Sequence, residues 1–323
     1  MRVSIVGDGI GGRTLYRLLK MQGAEVDLYG QLNNTKCGIR PCGFGTSVSC
    51  INLLGKLGIS PKEYVLRYDD HIIVDCRKIK SDAYWIDKPR LLVTITTAVR
   101  YDEPNLDDYD LVVDATGIAR TCSQPIPKSL DKKGICYQQR VTVNEYVSPT
   151  FNFIKGGYLW TTPLGEKEAH VGGGSTVLKA NEVKELVHHH VQEIRPSKIL
   201  CSCSEHIRLS GLLLPLVTGK VVTIGEAAGL VVPFGCAGIH TTIESAFILA
   251  SEIHKDNLEG YDKAIRRRFG WLRGSRKILD TLERGQIAFL SLGTCYRALR
   301  YEGLKPTLTD LLYIRKKLIN ANK

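Results

Sequence analysis

The chain has 323 residues, of which 43% are hydrophobic, 24% charged and 7% aromatic, and this composition excludes collagen, a coiled coil and wholesale disorder. The length fits about two domains of roughly 150 residues each, or one large α/β unit with an insertion. The formal net charge is +11. Because Lys220 and Glu226 interrupt the most apolar stretch, we expect no membrane-spanning helix.

The first thirty residues follow the pattern strand, glycine turn, helix, strand. An apolar run over Arg2–Val6 leads directly into a G-x-G-x-x-G motif, and a second apolar run covers Glu25–Tyr29. In this context Gly7 permits the tight turn, Gly9 lets a pyrophosphate approach the backbone, and Gly12 lets the helix pack close to the strand. The sequence therefore predicts a dinucleotide-binding unit. Because the chain opens on a strand and not on a signal peptide, we expect a cytoplasmic location.

The residue that would bind the adenosine ribose departs from the usual pattern. An acidic residue generally ends the second strand of such a unit, whereas this chain has Gly30 followed by Gln31. Gln31 can hydrogen-bond a ribose hydroxyl, although more weakly than a carboxylate does. Gln31 is therefore the candidate ribose contact, and the alternative is that no side chain there touches the ribose.

Two further buried strands are predicted later in the chain, at residues 110–117 and 220–229. The second leads into the glycine-rich stretch at 233–239 and then into a helix that continues to about His254. Two glycine-rich turns, each after a buried strand and far apart in sequence, indicate one extended ligand held at both ends. A nicotinamide dehydrogenase without flavin requires only the first turn and is disfavoured.

The middle of the chain alternates in the manner of β-strands over residues 121–210. It also contains a predicted helix, Asn181–Ile194, with three consecutive histidines at His188, His189 and His190. Consecutive helical side chains point in different directions and cannot bind one ion together. We expect no metal site here.

The last part of the chain is helical and basic, since residues 255–323 carry 16 Lys and Arg against 7 Asp and Glu. An anionic membrane surface, a phosphorylated substrate, a nucleic acid or a merely solvated helical face would each account for this charge. A nucleic-acid partner is disfavoured, because the region lacks the interleaved aromatic and basic residues of a recognised binding module.

The two glycine turns, together with an aromatic segment between them, resemble the FAD-dependent geranylgeranyl reductase family, within the broader group shaped like p-hydroxybenzoate hydroxylase. The resemblance covers most of residues 1–255. In that family a G-D/E-A-A-G segment is followed by P-x-x-G-x-G-I. The matching residues are Gly225, Glu226, Ala227, Ala228, Gly229, Pro233, Gly238 and Ile239.

The aromatic segment matches the family's Y-x-W-x-F-P signature, which lines the substrate cavity above the flavin. Tyr158, Trp160 and Pro163 fit this signature. Thr162 replaces its Phe and makes the cavity wall more polar. The chain is also shorter than the family generally is between Lys88, which stands where an Arg normally approaches the flavin, and the strand at 110–117.

The resemblance implies an α/β fold: a Rossmann-like FAD-binding domain of the GR2 type, an inserted antiparallel β-sheet substrate domain, and a helical C-terminal tail. The FAD-binding domain would comprise residues 1–120 and 205–255, the substrate domain 121–204, and the basic helical region 256–323. FAD is the implied cofactor. Its candidate contacts are Gly7, Gly9, Ile10, Gly12, Gln31, Lys88, Gly117, Gly225, Glu226, Pro233, Gly235, Gly238 and Ile239.

The implied activity is hydride transfer from reduced flavin to a carbon–carbon double bond of an isoprenoid lipid or quinone side chain, followed by protonation of the neighbouring carbon. An isolated alkene is a poor electrophile, so the site must exclude water and hold the alkene close. A Cys-Gly step typical of the family falls at Cys37 or Cys42. Candidate catalytic residues are Cys37, Cys42, Tyr158 and Trp160, and Tyr158, Trp160 and Pro163 are candidate substrate contacts. Cys37, Cys42 and Tyr158 stay equal candidates for the proton source.

The runner-up function is a flavin-dependent monooxygenase acting on an aromatic or quinone-like substrate, since the fold group is shared. No second G-x-G-x-x-G motif for a nicotinamide cofactor is present. Both NAD(P)H and ferredoxin therefore stay open as the external electron donor. A lipid substrate would also give the basic C-terminal region a role in peripheral attachment to an anionic membrane.

Overall fold

The computed structural model describes residues 1–31, 40–284 and 291–322. The strands are β1 (Arg2–Val6), β2 (Glu25–Tyr29), β3 (Gly45–Ser47), β4 (Val65–Val74), β5 (Arg77–Ile86), β6 (Leu111–Asp114), β7 (Lys133–Thr142), β8 (Thr150–Ile154), β9 (Gly157–Pro163), β10 (Glu168–Ser175), β11 (Lys198–Arg208), β12 (Val217–Thr218) and β13 (Val221–Thr223). The helices are α1 (Ile10–Met21), α2 (Val48–Gly55), α3 (Lys88–Ile95), α4 (Ala180–Ile194), α5 (Ile239–His254), α6 (Leu258–Phe269), α7 (Leu272–Glu283), α8 (Leu292–Tyr301) and α9 (Leu308–Ala321).

A five-stranded sheet in the order β12-β13-β6-β1-β2 carries both glycine turns. Strands β2, β1, β6 and β13 are mutually parallel, and β12 adds an antiparallel edge. Val3, Ile5 and Val113 are fully buried, as expected for parallel strands covered on both faces. Because β1 and β13 are parallel, the turns that follow them leave the same edge of the sheet, where α/β proteins bind ligands. The Rossmann-like fold prediction is confirmed.

A second, eight-stranded sheet in the order β11-β7-β10-β9-β8-β4-β5-β3 is antiparallel except between β4 and β8. Helix α4 covers β7 and β10 through fully buried Val183 and Val187. The sheet takes β3, β4 and β5 from before residue 121 and β7 to β11 from after it. The division of the chain into domains at 121–204 stays a prediction.

The C-terminal helices pack onto both sheets. Tyr261 in α6 is fully buried, and its hydroxyl donates to the carbonyl oxygen of Thr223 at 3.0 Å. Beyond α8, the carbonyl of Gly303 accepts a 2.7 Å hydrogen bond from the backbone N–H of Asp82 in β5. The basic region is thus integrated into the core. Within the described ranges, no helix combines the length and the apolar character needed to cross a bilayer.

Part of the positive charge of this region is neutralised by neighbouring carboxylates. Arg268 of α6 pairs with Glu244 of α5 at 2.5 Å, and Arg266 pairs with Asp262 one turn earlier at 2.9 Å. The guanidinium groups are about half exposed, so these pairs contribute little to stability. They do reduce the charge that the region presents to an external partner.

Candidate functional site

The first glycine turn has the geometry that a pyrophosphate requires. Gly7 has a φ of +112°, which favours glycine, and its N–H donates to Tyr29 at 2.8 Å. A Cβ on Gly12 would overlap the carbonyl oxygen of Gly7, whereas a Cβ on Gly9 would meet nothing within 4 Å. Gly9 is the N-cap of α1, and no side chain caps that helix. The first N–H groups of α1 therefore face open space, as a phosphate ligand needs.

The end of β2 shows an acidic residue that sequence reasoning missed. A Cβ on Gly30 would lie 2.6 Å from Cγ of Asp8, so the Asp8 side chain takes the space beside Gly30. Asp8 also pairs with Arg13 of α1 at 3.0 Å. The candidate Gln31 is exposed. The carboxylate nearest the end of β2 thus comes from the glycine motif itself, and the only signal in the sequence was the Asp within Gly-Asp-Gly.

The second glycine turn holds a buried carboxylate. Gly225 has a φ of +58°, and Glu226 follows it with one oxygen accepting a 2.8 Å hydrogen bond from the backbone N–H of Arg208. The other oxygen lies 3.3 Å from the Cβ position of Gly117. Burial raises the pKa of Glu226, and the positive charges of Arg208, Arg40 and Lys88 act in the opposite direction. Gly117 and Lys88 therefore both lie near Glu226, and their contact with a cofactor stays a prediction.

The loop at 233–239 leads into α5, whose N-cap is Gly238. No side chain caps this helix. The N–H of Phe234 donates to Ser275 Oγ of α7 at 3.1 Å, which ties the loop to the C-terminal region. A Cβ on Gly11 of α1 would lie 2.7 Å from the methyl group of Thr242 in the first turn of α5. The uncapped N-termini of α1 and α5 thus lie side by side, which suits one ligand with two electron-rich parts.

The aromatic segment on β9 contacts this loop directly. The Tyr158 hydroxyl donates to the carbonyl oxygen of Gly235 at 2.7 Å, and its ring lies 5.8 Å from that of Trp160. Trp160 is 7% exposed and packs over β10, where a Cβ on Gly172 would overlap its ring. The structure therefore brings Tyr158 and the 233–239 loop together. Pro163, at the other end of β9 and opposite Ala169, is buried away from Tyr158.

Cys42 is linked to the aromatic segment by the buried side-chain amide of Gln138, which the sequence did not indicate. Oε1 of Gln138 accepts from the backbone N–H of Cys42 at 3.0 Å and from the indole N–H of Trp160 at 3.3 Å. The carbonyl oxygen of Cys42 lies 2.9 Å from Nδ1 of His170. Burial lowers the pKa of His170 to about 3, so this ring is neutral at physiological pH. Cys37, the other candidate thiol, lies outside the described residues.

The substitution of the family's Phe by Thr162 has a local partner. A Cβ on Gly43 would lie 3.2 Å from the Thr162 methyl group, so the small residue next to Cys42 packs against the small residue on β9. Thr162 is buried, and its hydroxyl oxygen has no hydrogen-bond partner among the described residues. An unpaired buried hydroxyl is costly and indicates a polar spot in this wall.

One more buried group meets the loop. A Cβ on Gly235 would overlap the carboxyl of Glu302, the residue that ends α8. Nothing local in the sequence connects these two positions, and Glu302 lies outside the motifs that identify the glycine turns. The carboxyl therefore belongs to the site by tertiary contact alone.

The chain is similar to two archaeal proteins in sequence. An uncharacterized protein of Methanocaldococcus jannaschii is 26% identical over 368 aligned residues, covering 96% of this chain and 100% of that protein. A digeranylgeranylglycerophospholipid reductase of Methanocella arvoryzae is 29% identical over 130 residues, which is 36% of this chain and 33% of the reductase. No protein-family model matches the sequence.

Solved structures show the same fold over nearly the whole chain. A geranylgeranyl bacteriochlorophyll reductase-like protein from Thermoplasma acidophilum superposes with a TM-score of 0.72 at 16% identity, covering 98% of each chain. A tryptophan C-6 flavin-dependent halogenase of taromycin biosynthesis gives 0.65 at 15%, covering 99% and 90%, and a peptidyl tryptophan dihydroxylase gives 0.65 at 13%, covering 89% and 76%. The resemblance to geranylgeranyl reductases is confirmed, and these solved structures show that it extends to the fold.

The contrast between Gly9 and Gly12 predicts a stability difference. Gly12→Ala places a methyl group on the Gly7 carbonyl and is expected to lower the free energy of unfolding by about 1–3 kcal/mol. Gly9→Ala meets open space with an ordinary backbone φ of −68°, so its effect should stay below about 1 kcal/mol. Urea denaturation of the two variants measures this; equal loss in both would contradict the turn geometry.

Proposed function

We propose that the chain is an FAD-dependent oxidoreductase that reduces carbon–carbon double bonds of an isoprenoid lipid or of a quinone side chain. The observation that carries the proposal is the meeting of three features: the uncapped N-termini of α1 and α5, and the Tyr158 hydroxyl on Gly235. One ligand with a pyrophosphate at one end and a redox ring at the other fits this arrangement.

The described residues fit FAD at both of its ends. Gly9 and Ile10 at the start of α1 would hold the pyrophosphate, and Asp8 or Gln31 the ribose. Glu226 would hydrogen-bond the chain that links the phosphates to the ring, and Gly238 with Ile239 would face the redox ring. Bound FAD in its reduced form supplies a hydride.

The remaining side chains would orient an apolar substrate and keep water away. Tyr158 and Trp160 form an aromatic wall with their polar atoms already paired to Gly235 and Gln138. Next to Tyr158, a small apolar cavity extends between β8, β9, α7 and α9. It is lined by Phe153, Tyr158, Phe234, Leu279, Leu282 and Leu318. An apolar cavity next to the 233–239 loop supports an isoprenoid substrate, because alkene reduction needs a dry site.

A flavin-dependent monooxygenase is the second candidate. Its support is the dihydroxylase among the proteins of this fold, together with the unpaired hydroxyl of buried Thr162 in the wall. A polar spot at this place suits an aromatic or quinone-like substrate better than a plain isoprenoid chain.

FAD binding is tested on the purified protein. We expect a yellow protein whose oxidised-flavin spectrum bleaches under dithionite. Gly9→Ala should weaken FAD binding at least about tenfold, because the added methyl group takes the space of the pyrophosphate while the fold survives. Fluorescence titration of the apoprotein with FAD measures the dissociation constants. Wild-type apoprotein that takes up no FAD would refute the proposal.

The reaction is tested by offering both chemistries to the loaded enzyme. With dithionite-reduced enzyme and a geranylgeranyl lipid under anaerobic conditions, we expect a product heavier by two hydrogens per double bond, detected by mass spectrometry. Oxygen consumption coupled to NAD(P)H oxidation, with an oxygenated product and no saturated one, would favour the monooxygenase. The same assay with NAD(P)H or reduced ferredoxin in place of dithionite identifies the electron donor.

Attachment to an anionic membrane is a further part of the proposal, supported by the surface of α9. Leu308 and Leu312, one turn apart, are 63% and 47% exposed, and Lys316 follows one turn later. Exposed leucines beside a lysine suit an interfacial helix. Binding to vesicles containing phosphatidylglycerol should weaken with salt and with Lys316→Glu, but not with Lys56→Glu at the residue that follows α2. Salt-independent binding, or none, would remove this part.

A further inference from the structure

Glu302 is fixed next to the 233–239 loop by the backbone on both sides of it. It ends α8, where its N–H donates to the carbonyl of Leu299 at 3.1 Å. The following residues lie along the edge of β5: the Gly303 carbonyl accepts from Asp82, and the Lys305 N–H donates to Lys80 at 2.7 Å. These hydrogen bonds therefore fix the backbone of Glu302 beside the loop.

The carboxyl has an environment that disfavours its charged form. Its Oε1 atom is buried and has no hydrogen-bond partner among the residues that the structure describes. Burial raises the pKa of Glu302 to about 8. At neutral pH the group is a neutral acid that carries a proton.

Among the described residues, the titratable groups that face Glu302 add no positive charge. Tyr158 comes from β9 and Cys236 from the loop, and burial raises the pKa of both, that of Cys236 to about 12. The Tyr158 hydroxyl already donates a hydrogen bond to the carbonyl oxygen of Gly235. Of Glu302, Tyr158 and Cys236, Glu302 is the group that loses a proton most readily near neutral pH.

We propose that the carboxylic acid of Glu302 is the proton donor for reduction of the substrate double bond. The role rests on the proposed function. As the π bond breaks, a hydride forms a C–H bond at one carbon. The Glu302 O–H bond then breaks, and its proton forms a C–H bond at the other. The two electrons come from reduced FAD, which is oxidised, and the carboxylate regains its proton from water.

The structure explains why this acid requires glycine at 235. Any side chain at that position would occupy the place of the carboxyl. The absent Cβ leaves the acid in contact with the loop that faces the redox ring in the proposed function. Cys42, one of the candidates from sequence, lies on the β9–β10 side of the wall, where its backbone is held by Gln138 and His170.

The test compares FAD-loaded wild type with Glu302→Gln, which keeps size and neutrality but carries no acidic proton, and with Glu185→Gln as a matched control on exposed α4. FAD uptake should be the same in all three. Glu302→Gln should slow single-turnover alkene reduction about 100-fold or more, the usual range for loss of a general acid. Wild-type reduction should fall as pH rises through about 8, because the protonated form reacts, and the variant should lose this dependence.

An infrared readout is independent of turnover. The difference spectrum of wild type minus Glu302→Gln should show the carbonyl band of a protonated carboxylic acid at pH 6, and this band should disappear above about pH 8. Glu185→Gln should leave it in place. Absence of the band, or reduction at the wild-type rate in Glu302→Gln, would overturn the role.

A second variant, Glu302→Asp, tests the role if Glu302→Gln does not fold. Glu302→Asp keeps the acid but withdraws it from Gly235 by one methylene group, so we expect a rate between those of wild type and Glu302→Gln. A wild-type rate in Glu302→Asp would count against contact with the substrate.

The proposed function and the donor role can fail separately. If wild type takes up no FAD, the proposed function fails and the donor role with it. If FAD binds and only the Glu302 results are negative, the function stands without this donor.

Discussion

The contact between the first turns of α1 and α5 is the constraint on which the site depends. Gly11 of α1 and Gly225 of the second glycine turn both fit against Thr242 of α5, where a Cβ would come within 3 Å of the Thr242 side chain. Two positive helix ends side by side repel each other and have no capping side chains to offset this. A ligand with negative charge between them removes that repulsion.

The parts of the fold that local patterns specify were predicted from the sequence. The strand at Arg2–Val6 has its predicted bounds, and the helix expected to end near His254 does end there. Apolar runs, glycines and helical periodicity decide such elements within a few residues. The pairing of β4 with β8 joins Ile73 to Thr150, far apart in sequence, and was not predicted, since neither strand carries a local signal of its partner.

The site divides in the same way. The glycine turns and Tyr158 could be found from residue spacing, because the residues of each motif lie close together in sequence. Gln138, which joins Cys42 to Trp160, and Asp8, which fills the space beside Gly30, depend on contacts across the fold. The absence of an acid at residue 30 and the presence of Asp8 in the glycine motif are linked, because a side chain at Gly30 would displace Asp8.

The C-terminal region shows why charge alone describes a segment poorly. Its basic composition favours an external partner, yet its helices pack into the core, where Ser275 binds the 233–239 loop and Glu302 lies against Gly235. An unpaired buried carboxyl costs free energy, and a flexible tail would release it to water. The hydrogen bonds of Gly303 and Lys305 with β5 hold this segment in place instead. The same backbone contacts therefore anchor the region and hold an acid at the loop, which makes these helices part of the site.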